Sequence, residues 1–121
     1  MTPEALWQRY AATWSLGADA RAAEFATCLG NEVTYCDPNG TVEGCSALSN
    51  YMDDFQQNVP GGRFVIQSVL HHHDRSLAHW ALQGPDGTPL QTGTSHAVLS
   101  KDGRLQAISG FFDAASKGSP A

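Results

Sequence analysis

The chain has few basic residues. Seven Lys and Arg stand against twelve Asp and Glu, which gives a formal net charge of −5 at pH 7. The basic residues form no cluster along the sequence, and nucleic-acid binding depends on such clusters because the phosphate backbone attracts cations. The composition therefore argues against a nucleic-acid partner.

Long apolar runs are also missing. No stretch approaches the ~18 residues that a membrane-spanning helix requires. The first residues, Met1-Thr2-Pro3-Glu4, show neither the basic start nor the apolar stretch of a secretion signal. We expect a protein with no membrane partner and a cytoplasmic location.

Motifs for covalent, metal-dependent or cofactor-dependent chemistry are absent. Cys28, Cys36 and Cys45 are odd in number and show no C-x-x-C spacing, so neither a disulfide framework nor a zinc site is predicted. The sequence contains no G-x-S-x-G, no P-loop and no dinucleotide fingerprint. We therefore expect no cofactor.

The consecutive histidines 71–73 are the one pattern that invites a metal interpretation. Neighbouring strand residues point to opposite faces, so at most two of the three can converge, and we predict no metal. A hairpin turn at Asp74-Arg75 places His71 on the inner face beside Trp80, whereas a turn one residue longer places His72 there. An inward histidine is a candidate proton shuttle.

Apolar residues at helical spacing predict three helices in the first half of the chain. Thr2-Pro3 begins the first, which continues through Trp14. The second begins at an Asp19 cap and ends at Gly30, and the third begins at a Ser46 cap and is terminated by Pro60-Gly61-Gly62. The residues expected to be buried on the second helix are Ala22, Phe25, Ala26 and Leu29.

The other segments read as strands. A short strand over 32–37 precedes the third helix, and four longer strands follow over 63–73, 76–83, 88–100 and 104–113. Residues 1–113 are predicted to form one α+β domain, with three helices on a curved antiparallel sheet, and residues 114–121 a flexible tail. Such a sheet leaves a pocket that suits a small apolar ligand.

Asp37 is the best candidate for chemistry, because the short strand delivers it directly into the turn Asp37-Pro38-Asn39-Gly40. Tyr35 lies on the same face of that strand and contributes an apolar shell. In such surroundings the carboxylate could remove a proton next to a ketone or thioester carbonyl. The same four residues also fit a type I turn whose aspartate bonds only to its own backbone. Both interpretations stay open.

The order of elements resembles the nuclear-transport-factor-2-like superfamily, and more narrowly its polyketide-cyclase (SnoaL-like) and ketosteroid-isomerase branches. The resemblance covers residues 3–113. It depends on Asp37-Pro38-Asn39-Gly40 with Gly44, the Trp80 strand, Asp102-Gly103-Arg104 and Gly110-Phe111-Phe112. It implies a cone-shaped roll that encloses a pocket, and a homodimer formed through the sheet. The fold hosts isomerases, cyclases, dehydratases, hydrolases and binding modules.

The resemblance also implies roles for individual residues. Tyr10, in Gln8-Arg9-Tyr10, lies where the isomerases have their oxyanion tyrosine, and Asp37 lies where they have their base. Ser95 stands where they have a second acid, so we expect weaker enolate stabilisation here. The predicted catalytic residues are Asp37 and Tyr10. The predicted pocket residues are Trp14, Tyr35, Phe55, His71, Trp80, Ser95 and Phe111.

Two functions follow as hypotheses. The first is a cofactor-free isomerase, cyclase or dehydratase that removes a proton next to the carbonyl of a small apolar substrate. The second is a non-catalytic ligand-binding or dimerisation module of the same fold, which an Asp37 satisfied by its own turn would favour. Asp113 is either a second carboxylate near the pocket mouth or a solvated strand end.

Overall fold

Three helices pack against one six-stranded sheet in the computed structural model, which describes residues 1–114. The elements are α1 (Pro3–Thr13), α2 (Ala18–Cys28), β1 (Leu29–Asp37), β2 (Gly40–Glu43), α3 (Cys45–Asn58), β3 (Arg63–His72), β4 (Arg75–Gln83), β5 (Pro89–Leu99) and β6 (Leu105–Phe112). The predicted α+β class is confirmed. Apart from Ala114, the predicted tail over 114–121 lies outside the described residues. None of the helices within 1–114 has the length and apolarity needed to cross a bilayer.

Helix α1 begins as its sequence indicates. The Thr2 hydroxyl oxygen accepts a hydrogen bond from the Ala5 amide over 3.1 Å, and Pro3 occupies the first helical position. The buried face of the helix includes Trp7 and Tyr10. This helix therefore presents two large aromatic side chains to the inner face of the sheet.

Helix α2 differs from its prediction in both its bounds and its buried face. It begins after Gly17 and ends at Cys28, and β1 follows at once from Leu29. Ala22 and Ala26 are exposed, whereas the Arg21 side chain is fully buried. A guanidinium that donates hydrogen bonds to several carbonyl groups at once can be buried in place of an apolar side chain. The buried face of α2 therefore consists of Arg21, Phe25 and Cys28.

Helix α3 begins at Cys45, after Gly44, and the predicted Ser46 cap is not observed. Gly44 has a φ of 88°, which favours glycine, and its amide donates to the Val33 carbonyl over 2.7 Å. The chain thus leaves β2 and enters α3 through a glycine that is held against β1.

The sheet has the strand order β2-β1-β6-β5-β4-β3. The β1 and β6 strands are parallel and every other pair is antiparallel, so the prediction of a purely antiparallel sheet is wrong at this one pair. The chain completes β2, α3 and β3 to β5 before β6 returns beside β1. Strand β2 is missing from the prediction because four residues are too few to show a strand period.

The β3–β4 hairpin turns one residue earlier than predicted. His72 pairs with Arg75, so the turn consists of His73 and Asp74, and His73 has a φ of 53°. The register also shifts between Ile66 and Ser68. His71 consequently lies near the hairpin end, where its side chain is exposed.

Two glycines leave room on the inner face of the sheet. Gly93 pairs with Trp80, and a Cβ atom at Gly93 would collide with the Trp80 ring, so the indole lies across bare backbone. Gly110 pairs with Ser95 on the next strand. The missing side chains keep open the region where Trp80 and Ser95 face the helices.

Candidate active site

A cavity of about 510 Å³ lies between helices α1 and α3 and the inner face of the sheet. Its walls are rich in aromatic side chains, because they include every tryptophan and every tyrosine of the chain. These six residues are Trp7, Tyr10, Trp14, Tyr35, Tyr51 and Trp80. Such a cavity suits a small and largely apolar ligand.

The Asp37 carboxylate lies at the polar side of this cavity and accepts four hydrogen bonds. Its Oδ2 atom accepts from the Tyr35 hydroxyl over 2.6 Å. Its Oδ1 atom accepts from the Tyr51 hydroxyl over 2.6 Å, from the Asn39 amide over 2.8 Å and from the Gly40 amide over 3.2 Å. Hydrogen bonds to an ionised group are the stronger kind, so the carboxylate is held in one position.

Both sequence interpretations of Asp37 describe part of this arrangement. The bonds from Asn39 and Gly40 are those of the turn residue, and they leave the carboxylate anchored to its own backbone. The side chain nevertheless lines the cavity beside Tyr35 and Tyr51. The Oδ1 atom accepts hydrogen bonds from the turn amides and from Tyr51, whereas the Oδ2 atom accepts from Tyr35 alone.

Tyr10 is the second predicted catalytic residue, and it also lines the cavity. Its side chain is buried, and within residues 1–114 its hydroxyl has no hydrogen-bond partner. Burial raises the pKa of this hydroxyl above its ordinary value of 10.0; the Trp14 side chain opposes the shift and the Asp37 charge adds to it. Tyr10 therefore stays protonated and has a proton to donate to a ligand.

Tyr35 and Tyr51 are protonated for a related reason. Burial is the largest cause that raises the pKa of each hydroxyl, and the hydrogen bond to Asp37 raises it further. The proximity of Tyr10 also raises the pKa of Tyr35. Each of the two hydroxyls already donates its proton to the carboxylate, so neither can donate to a ligand at the same time.

Gly110 lies between Ser95 and the Asp37 side chain. A Cβ atom at Gly110 would lie 3.5 Å from the Asp37 Cβ atom and 3.6 Å from both the Ser95 Oγ atom and the Tyr35 hydroxyl oxygen. The Ser95 oxygen accepts a hydrogen bond from the Trp80 indole nitrogen over 3.0 Å. The serine hydroxyl proton is therefore left for another acceptor.

Seven of the nine predicted site residues line the cavity. They are Asp37, Tyr10, Trp14, Tyr35, Phe55, Trp80 and Ser95. His71 and Phe111 lie outside it, so their predicted place in the pocket is wrong. His71 is exposed beside the hairpin turn. Phe111 lies on the outer face of the sheet, whereas its neighbour Phe112 points inward and lines the cavity. Asp113 is exposed, and its carboxylate accepts from the Thr92 hydroxyl.

The sequence prediction missed the polar contribution of α3. Tyr51, Asp54 and Asn58 lie on one helical face at spacings of three and four residues, and all three line the cavity together with Phe55. None of Tyr51, Asp54 and Asn58 is among the pocket residues that the sequence predicts. The shared face of the two polar residues and Tyr51 is the signal that would have identified them.

No group of three or more His, Cys, Asp or Glu side chains within the described part of the chain could hold a metal ion. His72 and His73 approach each other at 3.1 Å between their Nδ1 atoms, on the exposed hairpin. The histidines therefore give no support to a metal interpretation of the cavity.

Solved structures with the same fold span nearly the whole chain. A suggested isomerase of the SnoaL-like family from Agrobacterium tumefaciens strain C58 is 27% identical, with a TM-score of 0.86, over 94% of this chain and 100% of that one. A suggested SnoaL-like polyketide cyclase from Jannaschia sp. CCS1 is 16% identical, with a TM-score of 0.72, over 91% and 83%. An NTF2-like protein of unknown function from Exiguobacterium sp. 255-15 is 17% identical, with a TM-score of 0.72, over 91% and 99%.

Among proteins with curated functions, none matches the chain. The family model of the SnoaL-like domain, in contrast, matches residues 7–108, which include the greater part of α1, the Asp37 turn, α3 and most of the sheet. On that match the chain belongs to the SnoaL-like domain family.

Proposed function

We propose that the protein is a cofactor-free enzyme that binds a small apolar carbonyl compound and removes a proton from the carbon next to the carbonyl. One observation supports this above the others: the Asp37 carboxylate lines an aromatic cavity that also contains the unpartnered Tyr10 hydroxyl. The similarity to a suggested isomerase and to a suggested polyketide cyclase agrees with this class of reaction.

In this mechanism the Oδ2 atom of Asp37 accepts the proton. It has one donor, Tyr35, whereas Oδ1 has three, so Oδ2 retains a free lone pair toward the cavity. The four hydrogen bonds restrict rotation of the carboxylate. A base that is fixed in this way loses little freedom when the substrate arrives, which lowers the barrier to proton transfer.

Proton removal transfers negative charge to the carbonyl oxygen of the substrate. Tyr10 is the cavity tyrosine whose hydroxyl is not already bonded to Asp37, so it would donate to that oxygen as the charge develops. The Ser95 hydroxyl would provide a weaker second donor. Return of the proton to a different carbon completes an isomerisation. In a cyclisation the carbanion attacks a second carbonyl, and the alkoxide that forms takes the proton back from Asp37.

The dehydratase variant with a histidine shuttle has less support. It requires an inward histidine, and no histidine of residues 1–114 lines the cavity. A dehydration would therefore depend on Asp37 or a hydroxyl group to protonate the departing hydroxide. Isomerisation and cyclisation are the simpler proposals for this set of side chains.

The direct test is hydrogen exchange at carbon. We would incubate the protein with 2-tetralone, an apolar ketone, in D2O and follow loss of the α-proton signal by NMR. Asp37→Asn should abolish the exchange and preserve ketone binding, because the amide oxygen can still accept from Asn39, Gly40 and Tyr51. Quenching of tryptophan fluorescence reports that binding, since every tryptophan lines the cavity. Asp74→Asn, at the exposed hairpin, is the matched control.

The second candidate is a non-catalytic binding module. The bonds from the Asn39 and Gly40 amides to Asp37 favour it, because a turn alone would account for them. If Asp37→Asn retains exchange within a few-fold of the wild type, Asp37 is not the base. If 2-tetralone binds and no exchange occurs in the wild-type protein, the binding module becomes the better description.

We also propose a homodimer formed through the outer face of the sheet. Leu70 and Phe111 expose 65% and 59% of their surface there, and burial of such side chains favours association. Light scattering should give twice the chain mass for the wild type and a smaller mass for Phe111→Ser. A wild-type chain that stays monomeric at high concentration would contradict the dimer.

A further inference from the structure

All the formal charges on the cavity wall have the same sign. Asp37 and Asp54 both line the cavity, and no lysine, arginine or histidine of residues 1–114 does so. Asp54 is exposed at the mouth, and neither an ion pair nor a hydrogen bond within the described residues involves its carboxylate. A ligand that enters the cavity therefore meets two carboxylates and no compensating cation.

The C-terminal end of α3 adds to this negative field. Asp54, Phe55, Asn58 and the capping residue Val59 all line the cavity, so the last turn of the helix lies at its mouth. The carbonyl groups of a final helical turn carry a partial negative charge that attracts cations. This turn contains no basic side chain that could neutralise it.

The aromatic walls offer a second kind of cation site. Trp14, Tyr51 and Phe55 line the cavity together, and their rings pack edge to face at centroid distances of 5.4 Å from Trp14 to Phe55 and 6.2 Å from Trp14 to Tyr51. The ring faces of tryptophan, tyrosine and phenylalanine attract cations electrostatically. Tyr51 lies one helical turn before Asp54, so a ring and a carboxylate lie side by side near the mouth.

We propose that the ligand of this cavity carries a cationic nitrogen, as a protonated amine or a quaternary ammonium group, at the end that faces Asp54. The inference rests on the proposed function, because it names the ligand class of the same cavity. The other end of the ligand presents a hydrogen-bond acceptor to the unpartnered Tyr10 hydroxyl, and an apolar body lies between the two ends.

The two proposals are chemically compatible. Proton abstraction moves one negative charge from Asp37 to the substrate oxygen, and a cationic substituent on the substrate stabilises that charge. Anionic ligands such as carboxylates and phosphate esters meet repulsion from Asp37, Asp54 and the end of α3. The cavity should therefore discriminate among ligands of equal size by their charge.

A pair of isosteric probes tests this directly. The (3-hydroxyphenyl)trimethylammonium ion and 3-tert-butylphenol share one shape and differ in a single positive charge, and 3-hydroxybenzenesulfonate supplies the anion. Calorimetric titration of the wild-type protein should show the ammonium probe binding about tenfold tighter than the tert-butyl probe. The sulfonate should bind most weakly of the three.

Variants locate the source of the preference. Asp54→Asn should narrow the affinity ratio of the ammonium and tert-butyl probes and leave the affinity of the neutral probe unchanged. Asp74→Asn, an exposed carboxylate that does not line the cavity, should leave the ratio as in the wild type. Added salt should narrow the ratio as well, because Asp54 is exposed and its field is screened.

Equal or tighter binding of 3-tert-butylphenol to the wild type would overturn the inference. An equal loss of affinity for both probes in Asp54→Asn would also overturn it. Exchange of 2-tetralone without any cation preference refutes the inference and supports the proposed function. A cation preference without exchange supports the inferred ligand class and contradicts the proposed proton removal. Failure of 2-tetralone and of all three probes to bind contradicts both proposals.

Discussion

A hydrogen bond of 2.6 Å joins the Tyr51 hydroxyl to the Asp37 carboxylate and ties the middle of α3 to the end of β1. The same Oδ1 atom accepts hydrogen bonds from the Asn39 and Gly40 amides, so a single oxygen holds both the turn and α3. The position of the carboxylate in the cavity therefore depends on the third helix as much as on the strand that carries it.

Tyr51→Phe should lower the free energy of unfolding by about 1–2 kcal/mol, because it removes a hydrogen bond to an ionised group. Urea denaturation followed by fluorescence measures this, and the dependence on urea concentration should stay that of the wild type. An unchanged midpoint would mean that the Tyr51 bond does not form in solution.

Tyr10→Phe should not destabilise the protein as Tyr51→Phe does. It removes a buried hydroxyl that has no partner within residues 1–114, so the free energy of unfolding should stay the same or rise by up to about 1 kcal/mol. The α-proton exchange of 2-tetralone should fall at the same time, because the oxyanion loses its donor. A loss of stability like that of Tyr51→Phe would show that the Tyr10 hydroxyl has a partner in solution.

The tyrosines predict a steep loss of stability at alkaline pH. Tyr10, Tyr35 and Tyr51 are all the tyrosines of the chain, and the pKa of each is raised, with burial as the first cause. A pKa raised in the folded state contributes stability that is complete below the unfolded value of about 10 and declines as the pH rises above it. The two most buried hydroxyls alone give a slope of about 3 kcal/mol per pH unit.

Spectrophotometric titration tests this prediction. Phenolate absorbance should stay low above pH 10 in the folded protein and appear together with the loss of helical circular dichroism. Phenolate absorbance that develops near pH 10 while the helical signal is intact would contradict the burial of these hydroxyls.

Arg21→Met should destabilise the helical layer. The guanidinium is fully buried and donates to the Thr13, Leu16 and Ser49 carbonyls and to the Asp53 carboxylate. Methionine fills similar space and leaves these acceptors unpaired, so the free energy of unfolding should fall by about 3 kcal/mol.

Arg9→Met is the matched control for this change, since Arg9 forms an exposed ion pair with Glu24 and its removal should alter stability little. Equal effects of the two substitutions in urea denaturation would show that the buried network around Arg21 contributes no more than a surface pair.

Gly110→Ala should separate stability from ligand access. A methyl group there would have ordinary contacts of 3.5–3.6 Å with Asp37, Ser95 and Tyr35, so the protein should fold normally. The methyl group would occupy the space between the carboxylate and Ser95, and both 2-tetralone binding and exchange should weaken. Unchanged exchange would mean that the substrate does not approach the carboxylate from this side.

Local signals in the sequence were enough to predict much of this molecule. Thr2-Pro3 begins a helix by chemistry confined to its own first turn, and the fold class follows from the order of helical and strand periods. Asp37 lies in the cavity because it ends a short strand whose inward face also includes Tyr35. Resemblance to the family supplied Tyr10, which periodicity alone would assign to the core.

The features that the sequence did not reveal depend on contacts between distant residues. The register shift between Ile66 and Ser68 arises from pairing with β4, and the earlier turn pairs His71 with Ser76 at the exposed end of the hairpin. The bond from Tyr51 to Asp37 joins residues 14 positions apart on different elements. No local pattern encodes either contact, because each depends on how the finished helix and sheet meet.

The parallel pairing of β1 with β6 sets the order in which the molecule can be completed during synthesis. Tyr35 lies opposite Ile108 of β6, so β1 can pair with β6 only after β3, β4 and β5 have been synthesised. Closing so long a loop is entropically costly and slows folding. A nascent chain on the ribosome can therefore form its helices and its β3–β5 meander early, while the strand that ends in the carboxylate waits for residues 105–112.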